Sequence, residues 1–320
     1  MPNTRDVRLA AKWYCGPMSS KPISQADSRA DEALRSSVQL ILTNAHAAIE
    51  DRTRSDAKAI HDFRRCMKRW RALLFLIDPF IDTDAKSLNA DARDMARALG
   101  NARDAQSALD ALADLSGHGL ALSDRSQKTL RTRIDAIRRT AETTTLTDDT
   151  RKRLAQALDR SIATVEHRPL QSVTFSDIAE RLAAGYRDAR RAMPENWSDS
   201  DGEALHELRK RIVRHRYQME IVVPFWKNFG TMWIDEAQRL RTSLGKHQDL
   251  LVLAGLTAPH QPLAAWRSRL TTAIAQRKAH HVRVASHIAK RMFVEKPKGF
   301  RRRLEVIWKT DRRASQSPHD

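Results

Sequence analysis

The 320-residue sequence is poor in the residues that punctuate or staple small folds. Its two cysteines, Cys15 and Cys66, are too few and too far apart for a disulfide framework or a CxxC zinc motif. Neither a disulfide-stapled scaffold nor a bound metal is expected, and a reducing compartment is. Ten glycines and eleven prolines cannot supply the many tight turns of an all-β sandwich or barrel. The longest apolar runs, Ala72–Ile77 and Leu250–Leu256, fall well short of the roughly 20 residues a membrane helix needs. Lys12 interrupts Leu9–Cys15, the one stretch that could serve as a signal core. Acidic residues are outnumbered by basic ones. Against 57 Lys and Arg stand 39 Asp and Glu, which leaves a formal charge of +18 and an isoelectric point near 10.5. So much self-repulsion suits a polyanionic partner.

What is present is helical patterning. Apolar residues recur at helical spacing after Ser24, where Asp27 three residues on resembles a loose capping box. Helices are expected at about 24–52, 56–78, 84–115, 124–144, 148–167, 174–193, 203–222, 231–255 and 262–294. Pro79 and Pro224 should each stop a helix, and Gly117 with Gly119 should loosen a connection. Residues 1–23 read as a flexible arm and 24–294 as a helical domain. Residues 295–320 read as a basic, then polar, disordered tail.

Comparing the chain with itself uncovers a repeat at an offset of 145 residues. His61-Asp-Phe-Arg64-Arg65 aligns with His206-Glu-Leu-Arg209-Lys210, and Arg69, Arg71, Pro79 and Phe80 meet Arg214, Arg216, Pro224 and Phe225. Six of the twenty positions from 61 to 80 are identical, where unrelated segments would share roughly one. The register persists without a gap to Leu99-Gly100-x-x-x-Asp104 and Leu244-Gly245-x-x-x-Asp249. Two duplicated halves, about 24–147 and 169–294, are the simplest account.

At about 100° per residue, His61, Arg64, Arg65, Lys68 and Arg71 share one helix face. Phe63, Cys66, Met67, Trp70, Leu73, Leu74 and Ile77 share the other. The second copy keeps His206, Arg209, Lys210 and Arg216 opposite Leu208, Ile212, Met219 and Val222, with Val213 where the first has Lys68. Any exposed amphipathic helix needs a polar face, so one basic face alone decides little. This one occurs twice, carries few acidic partners one turn away, and runs for about four turns, which suits a long anion better than a small one. His61 and His206 lack HxxxH or HExxH spacing, and adjacent cations repel a metal while favouring a histidine that donates to phosphate. The mid-helix glycines suggest a close helix crossing, with Asp104 and Asp249 positioned to orient basic side chains. His280, His281, His287, Arg277, Lys278 and Arg283 on the last long helix could extend the basic surface or be merely solvated.

The doubled His-x-x-Arg-[Arg/Lys] helix, each copy followed by Leu-Gly-x-x-x-Asp, resembles the CHAD family, the conserved-histidine α-helical domain, over about residues 24–294. The resemblance implies an all-α fold of two antiparallel four-helix bundles, related by a pseudo-twofold axis around a basic central groove. It further implies binding of inorganic polyphosphate without catalysis, and placement in the cytoplasm or on polyphosphate granules. The implied binding residues are His61, Arg64, Arg65, Lys68, Arg71, His206, Arg209, Lys210 and Arg216, with no cofactor. Family members are often fused to a triphosphate-tunnel domain; none is expected in this sequence.

Two other functions fit parts of the sequence. A helical bundle with an exposed histidine could act in phosphotransfer, although no kinase-like machinery accompanies it. Generic nucleic-acid binding fits the charge, but aromatics make up only 6% of residues and do not interleave the basic faces as base-stacking platforms would.

Overall fold

The structure, a computed structural model, describes residues 30–81, 84–97, 99, 103–141, 146–166, 173–224 and 226–316. Among them every regular element is a helix. The α-helices are α1 (Ala30–Glu50), α2 (Asp56–Ile81), α3 (Asp84–Arg97), α4 (Arg103–Ser116), α5 (Asp124–Ala141), α6 (Asp148–Glu166), α7 (Phe175–Arg191), α8 (Gly202–Met219), α9 (Lys227–Leu256), α10 (Arg267–Met292) and α11 (Pro297–Gln316). A short 3-10 turn, Glu220–Val222, extends α8, and another, Ala264–Trp266, leads into α10. The N-terminal arm and the Ser24 capping signal lie outside the described residues.

The 145-residue offset maps α1 onto α7, α2 onto α8, α5 onto α10 and α6 onto α11, while α3 and α4 together map onto the single 30-residue α9. Packing follows the same rule. α1 lies on α2 as α7 lies on α8, α2 on α3 as α8 on α9, α4 on α5 as α9 on α10, and α1 on α6 as α7 on α11. Two further pairs, α2 with α8 and α4 with α9, join an element to its own copy.

At the first of these crossings the Arg69 guanidinium bonds Glu220 (Nε to Oε2, 2.8 Å), Gln218 Nε2 donates to the Ala72 carbonyl (3.2 Å), and Arg214 covers the Phe75 ring at 4.0 Å. The offset carries Arg69 onto Arg214, Phe75 onto Glu220 and Ala72 onto Tyr217. The two arginine contacts are therefore symmetry mates about a pseudo-dyad at Ala72 and Tyr217. Across the contact one arginine meets a carboxylate and the other an aromatic face, Arg214 being held also by Asp188 of α7 at 3.3 Å.

The hydrophobic cores do not follow the division into sequence halves. The larger cluster combines α1, α2, α3 and α6 with α7, α8, α11 and the near ends of α9 and α10. The smaller one joins Ala108, Leu112 and Leu115 of α4, and Leu130 and Ile134 of α5, to Leu250, Leu253, Leu270 and Ile274. At the smaller core Asp114, buried on α4, receives Lys246 Nζ (3.0 Å) from α9, and Arg277 Nε (3.0 Å) and His281 Nε2 (2.7 Å) from α10. Burial alone would raise the Asp114 pKa. Hydrogen bonds from His281, Arg277 and Lys246 outweigh it and hold the carboxyl far below its ordinary range.

Three sequence expectations need correction. Pro79 does not stop α2, which continues to Ile81. The ring leaves the Phe75 carbonyl without its helical donor, and Arg181 Nη2 from α7 supplies one at 2.7 Å. The expected helix 84–115 is two helices, α3 and α4, and α4 packs on α9 and α5. Residues 297–316 form α11 rather than a disordered tail. Phe300, Leu304, Ile307 and Trp308 form a helical stripe on α11, with Phe300 fully buried and stacked on Tyr186 at 4.4 Å, and Trp308 stacked on Phe175 at 4.4 Å.

α7 and α8 approach closely because Gly185 has no side chain: a Cβ there would lie 2.5 Å from Gln218 Oε1. Beside it His215 is buried among Tyr186, Trp233 and Phe300, and burial, with Arg214 adding to it, pushes its pKa down to about 3.

Candidate anion-binding surface

α2 carries its core and its charge on opposite sides, as its periodicity requires. Phe63, Cys66, Met67, Trp70, Leu73, Leu74 and Ile77 are all buried, so the helix is anchored along its whole length. On the other face His61, Lys68 and Arg71 are exposed, and Arg64 and Arg65 are half-buried. Asp62 turns away from this face and into the protein, where it takes Arg54 Nη1 (3.2 Å) and Lys58 Nζ (3.3 Å) and ties the preceding loop to the helix.

Partial burial lowers the His61 pKa. Asp62 opposes that effect, and Arg65, Lys68 and Lys58 reinforce it. At the far end Arg71 Nε donates to Asn89 Oδ1 on α3 at 2.9 Å. Its pKa is lowered by burial and then by Arg93 and Arg97 of α3, both of which also meet Asp94, at 3.3 and 3.9 Å. Sequence reasoning missed Arg93 and Arg97. Their i, i+4 spacing on the next helix was the available signal, but only packing places them beside Arg71.

The copy on α8 is built differently. His206 and Arg209 are half-buried, and the Arg209 guanidinium lies against Gly245 of α9, where a Cβ would be 3.5 Å from its Nε. A Cβ at Gly245 would make only ordinary van der Waals contact there, so this glycine is not demanded by the close helix crossing that its place in the repeat suggested; Gly100 lies outside the described residues. Lys210 pairs with Glu207 at 3.3 Å and Arg211 shares that carboxylate at 3.1 Å. This face therefore has an acidic partner that the sequence reading discounted. Arg216 lies over the Tyr217 ring at 4.3 Å, and Val213 is half-buried.

The structure thus gathers His61, Arg64, Arg65, Lys68 and Arg71 along one face of α2, and His206, Arg209, Lys210 and Arg216 along α8. Contact between the two helices is made by their C-terminal halves. Each histidine lies eleven residues before the crossing, about 16 Å of helix.

The CHAD domain family model matches residues 32–258. The chain belongs to the CHAD family. The crystal structure of the CHAD domain from the plant Ricinus communis superposes with a TM-score of 0.51 at 20% identity, covering 91% of this chain and 97% of that one. At that identity the likeness concerns the fold alone, and it is the all-α fold expected from the sequence. No curated protein matches the sequence. In this CHAD protein the two copies of the repeated His-x-x-Arg segment lie on α2 and α8, which pack on each other. Among the described residues no helix is long and apolar enough to cross a membrane.

Proposed function

We propose that this CHAD protein binds inorganic polyphosphate by electrostatic capture, without catalysing a reaction on it. The observation that carries this reading is the cationic face of α2: five basic side chains in a row, on a helix whose opposite face is locked into the core. A polyphosphate chain offers a charge at every phosphate. Arginine forks pair bidentately with its oxygens, lysine adds a point charge, and His61 donates a hydrogen bond. Arg93 and Arg97 extend the track onto α3. The α8 face, with His206, Arg209, Lys210 and Arg216, is a second and weaker half-site, because Glu207 competes for Lys210 and Val213 replaces a cation. A long polymer crossing the α2–α8 contact would engage both faces and gain effective concentration from doing so. A location in the cytoplasm, with recruitment to polyphosphate granules, would follow from such binding.

The test compares affinities for long-chain polyphosphate, orthophosphate, ATP, RNA and double-stranded DNA at physiological salt. Polyphosphate should bind most tightly. A preference for RNA or DNA would replace this reading with nucleic-acid binding, and acid-labile phosphohistidine on the purified protein would replace it with phosphotransfer.

A further inference from the structure

A second basic feature stands apart from the duplicated helices. On α10, His280, Arg283, His287 and Arg291 fall at i, i+3, i+7 and i+11, within about 80° of helix surface, and all four are exposed. Together with Arg239 of α9 they rim a cleft of about 320 Å³ whose floor includes Val284 and Ile288.

The duplication shows that this arrangement is not inherited from the repeat. At the positions 145 residues earlier stand Asp94, Asp135, Arg138, Glu142 and Leu146. The C-terminal set carries three formal positive charges and two histidines, while its N-terminal counterpart carries a net charge of minus two. Arg138 there is already matched by Asp135 at 3.4 Å. One half has therefore acquired a basic cleft where the other carries an acidic set of residues.

We propose that the α9–α10 cleft is a separate anion site, confined to the C-terminal half, for a compact linear phosphate with the chemistry of inorganic tripolyphosphate. Three guanidinium groups around one small cleft suit several phosphates in a row better than a single carboxylate. The stripe spans eleven residues of α10, about 16 Å, which bounds the length of chain it can contact. Glu236 pairs with both Arg239 and Arg291, so it orients both arginines and offsets part of their charge.

Binding at this cleft favours the protonated ring of His280. In the free protein His280 is held toward its neutral form by partial burial, then by Arg277, His281, Arg283 and His118. A phosphate chain supplies the opposite charge and reverses that bias, so His280 takes up protons on binding while the terminal phosphates, which ionise in the same pH range, release them to the guanidiniums. The other charged groups nearby are engaged: Asp114 holds His281, Arg277 and Lys246. His247 of α9 is buried and held neutral down to about 4, chiefly by desolvation.

The experiment is titration calorimetry of the full chain with tripolyphosphate at pH 6.5, in two buffers of different ionisation enthalpy. It uses an Arg64→Gln/Arg65→Gln/Lys68→Gln background, so that the α2 face does not contribute. Binding is expected, with a buffer-dependent heat that combines proton uptake by His280 and release from the terminal phosphates. Arg283→Gln/Arg291→Gln should weaken it roughly tenfold or more. His280→Gln should shift the buffer-dependent heat toward proton release. These three positions are exposed, so circular dichroism should show an unchanged fold for each variant. No tripolyphosphate binding in the background protein, or binding that ignores Arg283→Gln/Arg291→Gln or whose buffer-dependent heat is unchanged by His280→Gln, overturns the proposal. The site does not rest on the α2 reading: long-chain polyphosphate affinity unchanged by Arg64→Gln/Arg65→Gln/Lys68→Gln, with tripolyphosphate binding still weakened by Arg283→Gln/Arg291→Gln, would end that reading and leave the cleft standing.

Discussion

Arg181 donates a 2.7 Å hydrogen bond to the main-chain carbonyl of Phe75, the acceptor that Pro79 leaves without its helical partner. A proline four residues on would ordinarily end or kink α2 here. Instead a side chain 106 positions away completes the helix, and the same guanidinium lies 5.3 Å from the Phe75 ring.

This relationship sets up a double-mutant cycle. Arg181→Ala should cost about 1–3 kcal/mol in urea denaturation, the cost of a buried acceptor left unmade. In a Pro79→Ala background, the main-chain N–H restored at that position can donate to the Phe75 carbonyl, and the loss should shrink by about 1 kcal/mol. Equal losses in both backgrounds would show that Arg181 acts through the Phe75 ring or its other contacts.

Polymer binding on α2 should respond to charge in a specific way. Arg64→Gln/Arg65→Gln/Lys68→Gln should lower polyphosphate affinity and also flatten its dependence on salt, by analogy with the roughly 0.7–0.9 log units per phosphate contact seen for nucleic acids. Arg301→Gln/Arg302→Gln/Arg303→Gln should do less. Arg301 is already paired with Glu180 at 3.1 Å and Glu305 at 2.9 Å, and Arg303 with Glu295. A larger effect from the α11 triple would move the site to that helix.

His61 should make polyphosphate affinity pH-dependent. Its pKa in the free protein is lowered by burial and, against the pull of Asp62, by Arg65, Lys68 and Lys58; a bound polyanion favours the charged ring. Protons are then taken up on binding, so affinity should rise as pH falls through the histidine range near 6.5 and below. His61→Gln should reduce that slope. An unchanged slope would assign the dependence to other groups.

Stability has its own pH signature in His215. Its folded pKa, pushed down to about 3 by burial and then by Arg214, lies far below the ordinary histidine value near 6.5. As pH drops below about 6.5 the unfolded chain binds a proton that the native protein excludes. This group should therefore subtract about 1.4 kcal/mol per pH unit until the folded pKa is reached. His247, whose pKa burial lowers to about 4, acts in the same direction over a shorter range. His215→Phe should flatten the fall in urea midpoint between pH 7 and pH 5; a fall as steep as that of the unmodified protein would mean His215 is not the group responsible.

The linear sequence by itself determined the helical class, the core stripe from Phe63 to Ile77, the basic face opposite it and the 145-residue repeat. These are legible because helical periodicity and pairwise identity are properties of residues close in sequence or compared in register. Tertiary structure alone decided which apolar face meets which. Periodicity shows that α4 has a buried side, but not that this side packs on α9 and α10 of the other half. The same limit hid α11, whose stripe of Phe300, Leu304 and Trp308 lies within a run of cations that reads locally as a tail. Charge balance was equally nonlocal: Asp114 gathers partners 132, 163 and 167 positions away, and the cleft between α9 and α10 exists only once those helices are side by side. Pairings across such separations depend on the packed core, because closing the long intervening loops costs entropy that no local contact offsets.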